Sequence, residues 1–290
     1  MAGSSVVVVG ASGYLGRHLV AEFAARGDRV CAVVRDRRRA EAPGAHGAPA
    51  LAGLPVRWRE VDVADPAAPL GLAPGDRVVS ALGVTRQKAT PWEIDLRANL
   101  RVLDAAERAG ASSFSYVGAL GMDARTSDLL RAKATFAAAL RRADLTGHVI
   151  DPSGYFSDLG WFVDMARRGR VLLVGDGSAR LNPIHGADLA AFIADRVAGP
   201  AGRWEVGGPD TLSYREIGAL ACAAVGRPPA FWELNDRVCG ALQWTADRLG
   251  RRTGELARFF LAGLRTDAVG EATGVHHLAD HFARLAAQKG

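Results

Sequence analysis

Residues Val6 to Gly16 read Val-Val-Val-Val-Gly-Ala-Ser-Gly-Tyr-Leu-Gly, and this stretch decides the fold. Four β-branched residues in a row suit a strand buried on both faces. Gly10, Gly13 and Gly16 follow at Gly-x-x-Gly-x-x-Gly spacing, and Tyr14 to Arg26 has the apolar periodicity of a helix. Ser12, Gly13, Tyr14 and Leu15 fall where strand passes into helix. Glycines there let the backbone approach a pyrophosphate, and the helix N-terminus offers free N–H groups and a positive dipole end. The spacing alone is a weak signal. A strand before it and a helix after it make it a dinucleotide-binding fingerprint. The competing reading is a purely structural glycine turn in a parallel sheet.

Outward from this turn, strand and helix signals alternate. Strands are expected at Val6–Val9, Arg29–Val34, Val56–Val61, Arg77–Ala81, Ser113–Val117 and His148–Asp151. Helices are expected at Tyr14–Arg26, Glu93–Ala109 and Asp128–Arg142. Such alternation implies βαβ units, a parallel sheet and right-handed crossovers. After Pro152 the pattern changes. Short strands (Val171–Val174, Trp204–Val206) mix with helices at Gly186–Ala198, Tyr214–Val225, Leu234–Leu249 and Thr253–Leu264. The fold expected is α/β, a Rossmann-type doubly wound parallel sheet with a smaller, mainly helical C-terminal substrate lobe. The dinucleotide-binding domain is expected over 1–155, with 180–200 returning to it. The substrate lobe takes 156–179 and 201–290.

Composition narrows the function. The 290 residues carry a formal charge of +5, supplied mainly by arginine. The lysines are Lys88, Lys133 and Lys289. No basic stripe interleaves with aromatics, which sets nucleic acid aside. Cys31, Cys222 and Cys239 lack CxxC spacing and read as reduced thiols, with no zinc site expected. The chain runs directly into a strand without a basic leader, and a cytoplasmic location is expected. No apolar run reaches the roughly 20 residues of a membrane helix, so membrane insertion is not expected. The partner expected is a small-molecule substrate, and the oligomeric state stays open.

In a doubly wound sheet the ligand lies at the carboxyl ends of the strands. Arg35 follows the second strand. A cation there suits a 2′-phosphate, which favours NADP over NAD. Arg37, Arg38 and Arg39 reinforce the field or form a solvated cluster. Asp36 is an alternative acceptor for a ribose 2′-hydroxyl. Asp62 and Val63 follow the third strand, where a carboxylate can accept from an adenine amino group. Ser80, Ala81, Leu82 and Gly83 end the fourth strand with mostly small residues.

These residues resemble the extended or atypical short-chain dehydrogenase/reductase superfamily, in its NAD(P)-binding, NmrA-like branch. Further matches are Asp95-x-x-x-Asn99 with Leu103-Asp104-Ala105-Ala106, Phe114-Ser115-Tyr116-Val117, Lys133, and Asp151-Pro152-Ser153-Gly154-Tyr155-Phe156. Val174-Gly175-Asp176-Gly177, Asn182-Pro183-Ile184-His185, Asp188 to Asp195, Gly207-Gly208-Pro209 and Gly274 to Phe282 resemble the divinyl chlorophyllide 8-vinyl reductase group. The resemblance implies cofactor contacts at Asn99, Val117, Lys133 and Pro152. It also implies that the segment after Pro152 passes the nicotinamide, which makes Tyr155 a candidate proton donor. A buried structural tyrosine is the alternative.

The superfamily's usual Tyr-x-x-x-Lys is broken. Lys133 stands, but Leu129 is four residues before it. Gly118 takes the usual serine position and Asp151 that of the arginine before the proline. Ordinary ketone chemistry needs a phenol that exchanges a proton with the substrate oxygen. The expectation is therefore an NADPH-dependent reductase of a conjugated, polycyclic or aromatic small molecule, with carbon–carbon double-bond reduction preferred over ketone reduction. Lys133 and Tyr155 are its candidate catalytic residues. The rivals are a non-catalytic NADP(H)-binding regulator and a non-redox isomerase or cyclase. Tyr116, inside a strand, reads as packing, and His185 as a cap, a loop contact or a pocket residue. His276, His277 and His281 lack a metal-ligand pattern. Phe156, Trp161, Phe162 and Trp244 are candidates for an apolar wall or for ordinary core.

Overall fold

The computed structural model describes residues 5–65, 67–84 and 89–288, so Lys88 and Lys289 lie outside the described residues. In chain order the elements begin with β1 (Val6–Val9), α1 (Tyr14–Ala25), β2 (Val30–Val34), α2 (Arg37–Glu41), β3 (Val56–Glu60) and β4 (Arg77–Ser80). A π-helical turn at Trp92–Ala98 continues as α3 (Asn99–Ala109), followed by β5 (Ser113–Val117), α4 (Asp128–Leu140) and β6 (Thr146–Pro152). Then come α5 (Gly160–Arg167), β7 (Val171–Val174), β8 (Arg180–Leu181), α6 (Gly186–Ala194), β9 (Gly202–Gly207), β10 (Leu212–Ser213) and α7 (Tyr214–Ala224). The chain ends with β11 (Phe231–Leu234), α8 (Asp236–Leu249), α9 (Arg251–Gly263), β12 (Glu271–Ala272) and α10 (Leu278–Ala287).

The central sheet has eight strands in the order β12-β9-β6-β5-β4-β1-β2-β3. Strand order reverses at β1, flanked by β2 and β4, both parallel to it. That reversal is the topological switch point where doubly wound sheets bind ligands. Register aligns Val9 with Val33 on one side and Ser80 on the other. Gly10, Arg35 and Ala81 therefore emerge at one edge of the sheet. The four valines of β1 are essentially inaccessible, as a strand covered by helices on both faces requires.

Packing divides the chain into two units. The first comprises Met1–Asp151 with Gly186–Trp204, the second Pro152–His185 with Glu205–Gly290. In the second unit β7 pairs with β11 in parallel and β8 with β10 antiparallel, so helices alone do not build it. Its core gathers Phe156, Phe162, Ile217, Leu278 and Phe282, with Trp161 packed on Phe162. Trp244 is exposed and stands apart from that core. The helix expected from Leu234 starts later: Leu234 belongs to β11, and the Asn235 side chain accepts from the Val238 N–H to cap α8. A paired strand and an N-cap there override the continuous periodicity.

Candidate active site

The glycine turn joins β1 to α1. Gly10 has φ +80°, and a Cβ on it meets the Ala81 carbonyl oxygen at 3.1 Å. Gly16 sits closer still, since its Cβ would lie 2.2 Å from the Gly10 oxygen. Helix and strand pack that tightly only around glycine. Gly13 is exposed and, as the N-cap of α1, has no side chain to cap it. This is an open anion cradle of the kind a pyrophosphate fits. Ser12 and Tyr14 are half-buried beside it and Leu15 is buried. The Tyr14 hydroxyl accepts from the Gly186 N–H, tying α1 to α6.

A buried arginine that the sequence reading missed sets up the end of β2. Arg17 donates from Nε to the Ser12 carbonyl, from Nη1 to those of Ala40, Ala42 and Pro49, and from Nη2 to that of Arg39. Burial, then the Arg39 charge, lowers its pKa. One side chain thus pins the glycine turn to the segment that follows β2. Asp36 accepts from the Arg39 N–H at 3.1 Å as the N-cap of α2, so its carboxylate serves its own helix. Arg37 pairs with Glu41 and lies over the Trp58 ring. Arg35 and Arg38 are exposed and have no carboxylate partner among the described residues. With Arg39, also exposed, they are guanidinium groups near the glycine turn that could hold a ribose 2′-phosphate. Asp62 is exposed, with its carboxylate on the Ala64 N–H; Val63 is buried.

Lys133 lies on α4 and is nearly buried. Its Nζ is 3.1 Å from Asp95 Oδ1 and donates to the Val117 carbonyl at 3.2 Å. Asp95 is fully buried, and its other oxygen accepts from the Val84 N–H at 3.1 Å. A Cβ on Gly83 would stand 3.5 Å from Asp95 Oδ1 and 3.9 Å from Lys133 Nζ. The ends of β4 and β5 and the charged pair therefore meet beneath a small residue, with Ala81 and Leu82 half-buried alongside. Lys133 also lies 5.5 Å from the Tyr116 ring centroid. Tyr116 is wholly buried against Phe136, and burial drives its phenol pKa far up. It is packing, as its place in a strand implied.

The glycine at the usual serine position has a steric counterpart. A Cβ on Gly118 would fall 2.0 Å from Asp151 Oδ1, so that carboxylate fills the space of a serine side chain. Asp151 Oδ2 accepts from Arg203 Nε at 2.7 Å, and Arg203 also pairs with Asp123. The guanidinium absent at position 151 is thus present nearby, contributed by β9. Asn99 is fully buried. Its amide donates to the carbonyls of Ile94 and Asp95 and accepts from the Ser80 hydroxyl. All three bonds are internal, and they hold the π-helical turn that carries Asp95.

In the second unit Pro152 is buried and Tyr155 half-buried, bridged to Ile184. Phe156 packs against His185 and His281, and His185 stacks on His276 at 4.2 Å. His277 stands apart, paired with Asp210. No cluster able to hold a metal occurs among the described residues.

Strand order and the glycine turn define a dinucleotide-binding protein of the Rossmann class. A family model described as NAD(P)H-binding matches residues 10–200, and the chain belongs to that family. Among curated proteins it is similar to the chloroplastic divinyl chlorophyllide a 8-vinyl-reductase of Zea mays, with 33% identity over 264 residues, covering 86% of this chain and 66% of that protein. The Arabidopsis thaliana protein of the same name is 32% identical over 278 residues, 88% of this chain and 66% of its own. The chain thus spans just under two-thirds of the length of these relatives. Among solved structures it is similar in fold to an NADPH-dependent quinone oxidoreductase from Escherichia coli complexed with NADPH. There the TM-score is 0.75 at 18% identity, covering 97% of this chain and 99% of the other.

Proposed function

We propose that this protein is an NADPH-dependent reductase of a conjugated carbon–carbon double bond on a polycyclic or aromatic small molecule. A vinyl-bearing tetrapyrrole is the favoured substrate. The observation that carries this reading is a buried Lys133–Asp95 pair kept while Leu129 stands at the position of the usual phenol. Leu129 has no proton to give, and Tyr116 is sealed in the core. The names of the relatives support a vinyl group as the acceptor.

The cofactor supplies hydride when bound. Gly10, Gly13 and the first turn of α1 hold the pyrophosphate. Arg35 and Arg38 take the 2′-phosphate, which selects NADPH over NADH. Lys133 Nζ, paired with Asp95, sets a positive charge where the reduced double bond develops negative charge. Tyr155 is the candidate proton donor, on the resemblance alone.

The test is NADPH consumption against a panel of vinyl-bearing tetrapyrroles, other conjugated alkenes and ketones. Alkene reduction that Lys133→Met suppresses supports the reading. Turnover of ketones only overturns it. Tight NADPH binding with no turnover on any member favours the regulator or the non-redox enzyme.

A further inference from the structure

The second unit carries a partly exposed apolar stripe on α8. Val238, Leu242 and Leu249 recur at i, i+4 and i+11, which places them on one side of a helix across three turns. They are 41%, 48% and 74% exposed. Cys239 and Ala246, on one flank of the stripe at helical spacing, are buried, and α8 packs on α9. Charge along this hairpin is distributed unevenly. Arg258 pairs with Asp247 and Arg265 with Asp236. Arg237 and Arg248 have no carboxylate partner among the described residues. At helical spacing they lie with Trp244 on the side of the stripe away from Cys239 and Ala246, and the Arg248 guanidinium lies 3.8 Å from the Trp244 ring centroid. The Trp244 indole is itself 56% exposed.

We propose that this face of α8 docks on an anionic lipid surface. The stripe enters the headgroup–acyl boundary with the helix lying in the plane of the interface. Arg237 and Arg248 reach lipid phosphates, and Trp244 sits at headgroup level. Apolar side chains on one face and cations beside a tryptophan on its flank are the composition of an interfacial helix. Uncompensated cations select anionic headgroups. A symmetric pairing of two copies through this face is disfavoured, because it brings the same unpaired arginine ridge from both chains into one interface. The attachment is peripheral, since no helix among the described residues is long and apolar enough to cross a membrane.

Sedimentation of the full chain with vesicles of phosphatidylcholine, with and without phosphatidylglycerol, tests this. Binding should be about tenfold or more stronger with the anionic lipid and weaken as salt rises. The double variant Leu242→Glu, Leu249→Glu should lose that binding. Both positions are exposed, so the variant should keep the native circular dichroism spectrum. Arg237→Gln with Arg248→Gln should lose the anionic preference. Three results each overturn the proposal: no sedimentation with anionic vesicles, undiminished binding by the folded glutamate variant, or a dimer in light scattering that this variant dissolves.

Discussion

At the scale of single residues the proposal turns on Lys133 and on what holds it. Asp95 touches Lys133 Nζ and the Val84 N–H and lies in the core, so in the proposed reaction its influence runs through the lysine. Asp95→Asn keeps the shape and removes the charge. Turnover should fall about tenfold, and the same change in a Lys133→Met background should cost nothing further, as coupled residues behave. An equal loss in both backgrounds would show that Asp95 is structural. Lys133→Met alone leaves a buried carboxylate unpaired, at a cost of about 3–5 kcal/mol in denaturant unfolding. The double variant should recover part of that. Arg35→Ala should erase a preference for NADPH over NADH of about 1.5–3 kcal/mol, read from the two Kd values. His148 offers a separate probe. It is buried between the Ser115 hydroxyl and the Gly199 carbonyl, and burial lowers its pKa. The unfolded chain therefore binds that proton at higher pH than the native protein does. The contribution is complete above the unfolded pKa of about 6.5 and is lost as pH falls towards the native one. Melting temperature followed from pH 7 downward should decline less in His148→Gln than in the parent, at about the pH values where free histidine titrates.

At the scale of elements, glycines set how closely strands and helices approach. Gly118→Ser restores the usual superfamily residue but drives its Cβ into Asp151 Oδ1. Overpacking of this kind should destabilise by about 1–3 kcal/mol, and thermal unfolding of the purified variant measures it. A variant as stable as the parent would mean that Asp151 moves freely. The β1–turn–α1 unit was legible in the sequence because its signals are local: four β-branched residues, three spaced glycines and a periodic helix. The strands β2 to β6 were legible to within two residues for the same reason. Arg17 was not. Its carbonyl partners past β2 lie 22 to 32 residues away, and an arginine on a helix reads as solvated until the fold surrounds it. The Lys133–Asp95 pair, and Arg203 reaching Asp151 across 52 residues, are long-range in the same sense. Periodicity identified α8 as a helix but could not say which of its faces the protein covers.

At the scale of the molecule, a reversal of strand order at β1 gathers the ends of β1, β2 and β4 at one edge. A βαβ frame brings residues as distant as Gly13, Arg35, Gly83 and Lys133 to the strand ends, where the proposed cofactor site lies: each follows a strand or lies on a crossover helix packed against the sheet. The frame alone does not choose a reaction. That choice rests on a lysine kept beside a leucine. The most direct test supplies NADPH deuterated at the transferable position, together with a vinyl-bearing tetrapyrrole, and locates the label in the product by NMR. The account predicts deuterium on a carbon of the newly formed ethyl group, and no such product with Lys133→Met. Label on a carbinol carbon, formed from a ketone while the vinyl group stays intact, would contradict it.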